Sequence, residues 1–393
     1  MPTTEARSPS ARILLGPGPS NVHPRVLQAF ARPLVGHLDP VFLRLMDETK
    51  ALLRSVFRTQ NTLTLPISGT GSAGMETCLG NLIESGDEVV VGINGAFGLR
   101  MADMVERYGG TLVAMDIPWG HVFTPDQVSN TLARCHRPKL VALVHAETST
   151  GAWQPLEEMA AVVHQAGALL LVDAVTSLGG CPLDVDAWGI DMCYSGTQKC
   201  LSCPPGLAPV TVNQAALEVI RARKTKVRSW YFDLTMLEKY WGEERIYHHT
   251  APISMNYALH EALRMVQEEG LEARFRRHQR NHAALVAGLT ALGLALAAQA
   301  GHRLWTLTSV RIPVGVGDAA VRRQLLEDYN IEIGAGLGPW RGKVWRIGLM
   351  GESSTPGNVL LVLRALEDLL HQHGYRCATG AGVAAAEAVY GAA

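Results

Sequence analysis

A glycine-rich turn at residues 68–74 has the composition of a phosphate-binding site. Its sequence, S-G-T-G-S-A-G, follows an apolar run at Leu63–Ile67 and precedes a helical pattern. Backbone N–H groups at the start of a helix bind phosphate, and small residues allow the phosphate to come close. No Lys or Arg follows the turn, as one would in a nucleotide-binding P-loop. The pattern therefore predicts either a site for a single phosphate or an ordinary strand-to-helix turn.

Two ionisable residues each follow a predicted buried strand. Asp173 comes directly after Leu169–Val172, and Lys199 lies in a turn of small polar residues after Met192–Ser195. The carboxyl ends of such strands form the edge at which α/β sheets bind ligands. A buried Asp there needs a partner such as a protonated ring nitrogen, and a Lys there can form an imine with an aldehyde. The alternatives are an Asp that caps the next helix and a Lys in an exposed loop.

Taken together, these three features predict a site for pyridoxal 5′-phosphate. The turn would hold the phosphate, Asp173 would keep the pyridine nitrogen protonated, and Lys199 would hold the aldehyde. Phe97, in the segment N-G-A-F-G, can stack on the cofactor ring, with packing in the core as its alternative.

Short apolar runs alternate with helical patterns between residues 60 and 215, which predicts a mostly parallel sheet covered by helices on both faces. One such helix follows Gly71, where Met75, Leu79 and Leu82 share a face. The fold class is therefore α/β. The six strands predicted after the glycine-rich turn are Val89–Gly92, Thr111–Met115, Leu140–His145, Ala168–Val172, Met192–Ser195 and Pro209–Val212.

The pattern changes after a charged stretch at residues 272–280. Strands at Leu304–Pro313, Ile331–Gly334 and Lys343–Ile347 alternate with helices at Asp318–Tyr329 and Pro356–His371, which predicts a compact α+β unit. We therefore divide the chain into an N-terminal arm (1–21), a large cofactor domain (22–271) and a smaller C-terminal domain (272–393). The Ala-rich tail from Ala378 receives no assigned structure.

Composition favours an enzyme that acts on small molecules. The 393 residues carry 35 Lys and Arg against 36 Asp and Glu, so no excess of positive charge favours nucleic acid or a membrane surface. The seven cysteines are sparse and suit a reducing compartment, and a lone C-x-x-C at Cys200 and Cys203 lacks the second pair of a zinc site. No metal site is expected. With no visible signal peptide, transmembrane span or peroxisomal C-terminal tripeptide, we expect a cytoplasmic protein.

The order of several motifs resembles a known enzyme family, the class V aminotransferases of fold type I, and most of all the alanine–glyoxylate and serine–glyoxylate aminotransferases. The resemblance extends from about Leu14 to Leu370 and implies a large domain built on a mostly parallel sheet with a smaller α+β domain. The motifs that carry it are L-L-G-P-G-P-S-N, S-G-T-G-S-A, H-A-E-T-S-T-G, L-L-L-V-D-A-V-T-S-L-G-G, Y-S-G-T-Q-K, Y-H-H-T and G-K-V-W-R-I-G.

The resemblance implies a role for each matching residue around the cofactor ring. Lys199 is similar to the lysine that binds pyridoxal phosphate and moves the proton between Cα and C4′. Asp173 is similar to the partner of the ring nitrogen, and Val175 to the residue against one ring face. The opposite face is often covered by Trp in the family, whereas this chain has Phe97.

For the phosphate, the resemblance implies a cradle of Thr70, Gly71 and Ser72. Some relatives have His at position 72, so the contact here involves a backbone N–H or a hydroxyl. Thr148 is implied on the O3′ side of the ring, and Gln198 beside the phosphate.

Further residues are implied to contact the partner's cofactor or the substrate. Tyr247 and Thr250 resemble a pair that crosses a homodimer interface to the partner's phosphate, so that the active sites are shared. Arg346 resembles the clamp for the substrate α-carboxylate, since a guanidinium binds a carboxylate through two parallel hydrogen bonds. Gly18 is implied beside the substrate, and His37 in its side-chain pocket.

The implied activity is transfer of an amino group from a small L-amino acid, with alanine favoured, to glyoxylate. The products are pyruvate and glycine. Serine or (S)-ureidoglycine remains open as the donor. A lyase similar to cysteine desulfurases is a weaker alternative, because that group generally has His where Gln198 precedes the lysine. A nicotinamide dehydrogenase would leave Lys199 without a role, and a non-catalytic binding protein would require Lys199 to be exposed.

Overall fold

The computed structural model describes residues 11–392 as an alternation of helices and strands. Its strands are β1 (Ile13–Leu14), β2 (Leu63–Ser68), β3 (Glu88–Ile93), β4 (Thr111–Asp116), β5 (Pro138–Val144), β6 (Ala146–Glu147), β7 (Ala152–Trp153), β8 (Leu169–Asp173), β9 (Met192–Tyr194), β10 (Leu207–Val212), β11 (Leu307–Arg311), β12 (Ile331–Glu332), β13 (Gly334–Ala335) and β14 (Val344–Gly348). Its α-helices are α1 (Pro24–Phe30), α2 (Pro40–Phe57), α3 (Gly71–Leu82), α4 (Ala96–Arg107), α5 (Pro125–Leu132), α6 (Met159–Gln165), α7 (Gln214–Arg221), α8 (Leu234–Trp241), α9 (Ile253–Glu269), α10 (Leu271–Ala291), α11 (Asp318–Asp328), α12 (Pro356–Gln372) and α13 (Ala381–Gly391).

A seven-stranded sheet forms the centre of the molecule, in the order β2-β10-β9-β8-β5-β3-β4. Strands β4, β3, β5, β8 and β9 pair in parallel, whereas β10 is antiparallel to both of its neighbours. The predicted α/β class with a mostly parallel sheet is therefore confirmed. Each of the six predicted strands overlaps an observed one, with bounds that differ by one or two residues.

Helices cover both faces of this sheet, as the apolar runs predicted. In β3, Val89 and Val91 pack into one core and Val90 into the other, because successive side chains of a strand point to opposite faces. The first core includes Met75 and Leu79 of α3, and the second includes Leu259 and Leu263 of α9 among other helix residues. Among residues 11–392, no helix combines the length and apolar character that crossing a membrane requires.

The C-terminal part has a small sheet of its own, β11-β14-β13, and a third core under α10, α11 and α12. The predicted strand Ile331–Gly334 is divided: β12 pairs with β1 near the N-terminus, and β13 pairs with β14. The Ala-rich tail forms the helix α13, which packs on α10 and α12. Alanine has the highest helix propensity, and Tyr390 anchors this helix by donating to Asn281 Oδ1 at 2.9 Å.

The described part of the predicted arm, residues 11–21, connects the small sheet to the loop that carries Lys199. Leu15 O accepts a hydrogen bond from Gly348 N at 2.7 Å, and Ser20 Oγ donates to Lys199 O at 2.8 Å. Residues 1–10 of the arm lie outside the described residues. The division into an arm and two domains stays a prediction.

Candidate active site

The predicted site residues lie where several strands of the central sheet end. Thr70 follows β2, Asp173 ends β8, Thr148 follows β6 and Lys199 follows β9. Parallel β5, β8 and β9 present their carboxyl ends at one edge, and β2 ends beside them because it runs antiparallel to β10. The fold thus brings residues from distant parts of the sequence to one edge of the sheet.

Lys199 is largely buried and lies against the arm. Its Nζ donates a hydrogen bond to Pro17 O. Gly18 has φ of +101°, which favours glycine, and a Cβ there would lie 2.5 Å from both Nζ and Cδ of Lys199. The structure therefore places Gly18 against the lysine side chain, where any larger residue would displace it.

Burial, assisted by the nearby charge of Arg346, lowers the pKa of Lys199 from 10.5 to about 8. Both causes disfavour the ammonium form, because a buried charge loses its solvation and a neighbouring positive charge repels it. A substantial fraction of the amine is therefore neutral near physiological pH. A neutral amine is the form that attacks a carbonyl and accepts a proton.

Asp173 is a buried carboxylate held by hydrogen bonds to neutral donors. Its Oδ1 accepts from Val175 N at 2.8 Å, and its Oδ2 accepts from the hydroxyl of Tyr194 at 2.7 Å. Burial raises the pKa of Asp173 to about 6, although both hydrogen bonds oppose the shift. Because these donors carry no charge, a bound cation would stabilise the carboxylate, and a protonated pyridine nitrogen would be such a cation.

A second buried carboxylate, Glu147, occupies the N-terminus of α4. Its Oε2 accepts from Phe97 N at 3.0 Å, and its Oε1 accepts from the amide and hydroxyl of Ser149 at 3.0 and 2.6 Å. The partial positive charge of a helix N-terminus stabilises a carboxylate there. Burial nevertheless raises the pKa of Glu147, and its charge acts on both Asp173 and Arg346.

The N-terminus of α3, in contrast, is open. Thr70 at the N-cap makes no side-chain hydrogen bond to the helix, and within residues 11–392 no acceptor is found for the amides of Gly71 and Ser72. A Cβ at Gly71 would lie 3.1 Å from Val175 Cγ2, so this turn packs directly on the strand-end loop that carries Asp173. Nearby, Gln198 Oε1 is buried without a hydrogen-bond partner in the described chain. These groups fit the phosphate end of a cofactor.

Arg346 extends from β14 towards the same edge and is 7% exposed. Its Nε donates to Ala335 O at 2.6 Å and its Nη1 to Thr148 O at 3.2 Å, so backbone carbonyls orient the guanidinium. Burial lowers the pKa of Arg346 to about 10, which still leaves it charged. No carboxylate of the described chain forms an ion pair with this guanidinium, which leaves its charge available to a bound anion.

Three predicted residues lie apart from this cluster. Tyr247 is 56% exposed, Thr250 is exposed, and the ring of His37 lies 4.9 Å from that of Tyr247. In the part of the chain that the structure describes, no hydrogen bond or ring contact joins them to Lys199.

A buried arginine fixes the loop that follows Lys199. Arg274, in α10, donates to Cys200 O at 2.6 Å and to Gly179 O at 2.9 Å, and it pairs with Glu269 at 2.5 Å. Arg277, one turn later, binds Gly351 O at 2.8 Å and pairs with the same carboxylate. The start of α10 therefore holds the lysine loop and the loop after β14 together.

Three of the residues that shape this site were not predicted from the sequence: Tyr194, Glu147 and Arg274. Tyr194 and Glu147 lie within motifs that match the family, next to strand ends, and that position was the available signal. Arg274 lies on a helix, and only the fold brings it to its partners.

Comparison with known proteins decides the family. The model of the family described as Aminotransferase class-V matches residues 15–339. The chain belongs to the class V aminotransferases. The enzyme therefore uses pyridoxal 5′-phosphate, and the resemblance seen in the sequence is confirmed.

Close relatives share both sequence and structure with this aminotransferase. Alanine–glyoxylate aminotransferase of Rattus norvegicus is 44% identical over 92% of this chain and 88% of its own length. The structure of ureidoglycine–glyoxylate aminotransferase from Bacillus subtilis matches with a TM-score of 0.96, 44% identity and coverage of 98% of this chain and 100% of its own. Alanine–glyoxylate aminotransferase of Nostoc sp. matches with a TM-score of 0.92, 51% identity and coverage of 94% and 97%.

The lowered pKa of Lys199 predicts how the apoenzyme takes up its cofactor. The rate of covalent attachment, trapped with borohydride and located by peptide mass, is expected to rise about tenfold per pH unit and level off above about pH 8, as the amine loses its proton. Arg346→Gln removes a repelling positive charge, so its rate is expected to level off at a higher pH. A wild-type rate that does not change through pH 8 would contradict the assignment.

Arg274→Met is expected to destabilise the enzyme and to displace the lysine loop. The variant leaves two buried carbonyls without a donor, so the free energy of unfolding in urea should fall by about 3 kcal/mol. Because Cys200 adjoins Lys199, kcat should fall more than the affinity for the amino donor. The matched control is Arg276→Met, which alters an exposed arginine on the same helix. Equal effects of the two substitutions would argue against the role of Arg274.

Proposed function

We propose that this aminotransferase transfers the amino group of L-alanine to glyoxylate, giving pyruvate and glycine. The observation that carries the proposal is the buried Arg346, whose guanidinium lies close enough to Lys199 to lower the pKa of the amine. The donor and the acceptor both present a carboxylate beside the reacting carbon, and this guanidinium suits both. Relatives named for alanine–glyoxylate transfer share 44% and 51% identity with the chain.

In this proposal each residue around Lys199 has a distinct task. Arg346 binds the carboxylate of the donor and then that of glyoxylate. Lys199 removes the proton from Cα and delivers it to C4′ of the cofactor, and it reverses the transfer in the second half-reaction. Asp173 stabilises a protonated ring nitrogen. Bound pyridoxal phosphate supplies a conjugated ring that accepts the electrons left at Cα.

The proposal extends to the remaining contacts with the cofactor and the substrate. The open amides of Gly71 and Ser72, with Thr70 and Gln198, would hold the phosphate. Phe97 and Val175, both half-buried, would face the ring, and Thr148 its O3′ side. Gly18 would keep the arm close to Lys199, and His37 would border the substrate pocket. We assign these contacts as part of the proposal.

The proposed active form is a homodimer in which Tyr247 and Thr250 reach the partner's phosphate. Support comes from large apolar side chains that are exposed in the single chain. Water-exposed groups of this kind mark protein interfaces. They include Leu34, Leu38, Val41, Leu99, Trp230 and Ile246.

The proposal includes a cytoplasmic location. All seven cysteines are free thiols in the structure, although several are buried in the same cores. Free thiols of this number suit a reducing compartment.

A panel of amino donors with glyoxylate tests the substrate. We expect kcat/KM for alanine to exceed that for serine or (S)-ureidoglycine by about tenfold, the scale that one or two pocket contacts provide. Initial rates with both substrates varied should give parallel reciprocal lines, since one site serves two half-reactions in turn. A preference for (S)-ureidoglycine would move this enzyme to the activity named for the Bacillus subtilis relative.

Hybrid dimers test the shared active site. Lys199→Ala and Tyr247→Ala/Thr250→Ala homodimers should each have little activity. Co-expression should restore about a quarter of the wild-type activity, because about half of the dimers are hybrids and each hybrid contains one complete site. If Tyr247 and Thr250 served the site of their own chain, no hybrid would contain a complete site and activity would not return.

A further inference from the structure

Arg100 lies beside the proposed phosphate cradle. The glycine-rich turn at residues 68–74 contains no Lys or Arg, and Arg100 brings a positive charge to it from another helix. It is in the second turn of α4, and its Nη1 donates to Ser72 Oγ at 3.0 Å. Its guanidinium carbon lies 4.9 Å from the centroid of the Phe97 ring, within the range of a cation–π contact. One side chain therefore contacts both a cradle residue and the aromatic residue of the ring site.

The electrostatic surroundings of this guanidinium favour an anion. Ser72 is in the first turn of α3, where the unpaired amides carry partial positive charge, and a cation beside them is unfavourable on its own. In the described residues no carboxylate forms an ion pair with Arg100; its polar contact is the hydroxyl of Ser72. The carboxylate nearest to the start of α4 belongs to Glu147, which is already engaged by backbone amides.

We propose that Arg100 binds the phosphate of pyridoxal 5′-phosphate and supplies the side-chain cation of its cradle. A phosphate at the start of α3 would accept hydrogen bonds from the amides of Gly71 and Ser72 and from the guanidinium. Hydrogen bonds between a guanidinium and phosphate oxygens are charge-assisted and roughly twice as strong as neutral ones. The inference deepens the proposed cofactor contacts, and it does not depend on which amino donor the enzyme prefers.

The contact with Phe97 gives Arg100 a second effect on the same ligand. A guanidinium that binds the phosphate and lies on the Phe97 ring limits how far either can move relative to the other. In the protein without its cofactor, the charge of Arg100 also acts to lower the pKa of Lys199 and of Asp173. A phosphate dianion bound to Arg100 would cancel much of that influence.

Binding of two ligands that differ only in the phosphate tests the proposal. Equilibrium dissociation constants of the apoenzyme are measured for pyridoxal 5′-phosphate and for pyridoxal. Arg100→Met should weaken binding of the phosphorylated ligand about 10- to 100-fold and change the affinity for pyridoxal by less than about threefold. The affinity of Arg100→Lys for pyridoxal 5′-phosphate should lie between those of the wild type and Arg100→Met, since lysine retains the charge but not the fork of donors. Inorganic phosphate should compete with the cofactor less well in Arg100→Met than in the wild type.

The matched control is Arg107→Met on the same helix, whose side chain pairs with Asp103 at 2.7 Å. It should leave both dissociation constants unchanged, and thermal midpoints of all variants report whether they fold. If Arg100→Met lost affinity equally for the two ligands, Arg100 would be assigned to the ring alone and the proposal would be overturned. An unchanged affinity for both ligands would also overturn it. If the wild type itself bound both ligands equally well, the placement of the phosphate at α3 would fail together with this inference.

Discussion

The site depends on holding four ionisable groups out of water without letting them neutralise one another. Asp173 and Glu147 are satisfied by backbone amides and hydroxyls, and Arg346 by backbone carbonyls. Direct ion pairs among these groups would be stronger than their hydrogen bonds to neutral partners. Such pairs would, however, neutralise the charges that a substrate and a cofactor need. Burial shifts the pKa of each group in the direction that favours its neutral form. For Lys199 the pKa falls to about 8, and this is the group whose neutral form is useful.

Two helices begin at this edge of the sheet, and their N-termini differ in the anion that each can bind. Glu147 fills the start of α4 with a carboxylate of the chain itself, so that helix is a fixed support for Phe97. Among the described residues, the start of α3 has no such internal anion, so it remains able to bind one from outside. The same local structure thus serves as scaffold in one place and, in our proposal, as binding site in the other. Which role it takes depends on whether a carboxylate in the chain reaches the first-turn amides.

The sequence allowed prediction of the residues whose signal is local. Lys199 and Asp173 follow apolar strands, and their place at the ligand-binding edge follows from the general geometry of parallel sheets. Arg274 could not be predicted, because its partner carbonyls at Gly179 and Cys200 lie 95 and 74 residues away, and helical periodicity carries no information on them. The tail was missed for another reason: its alanines give little amphipathic pattern, and its packing on α10 becomes visible only in the fold.

The arm explains how the two basic groups of the site keep their relative positions. Leu15 binds the strand of Arg346 through Gly348, Pro17 accepts from Lys199, and Ser20 binds the lysine loop. The six residues from Leu15 to Ser20 therefore contact both the strand of Arg346 and the amine of Lys199. Because Gly18 can accept only a hydrogen at Cα, the arm also sets how close the backbone comes to Lys199. The spacing between the strand of Arg346 and Lys199 is thus held by a segment that contributes no reactive side chain of its own.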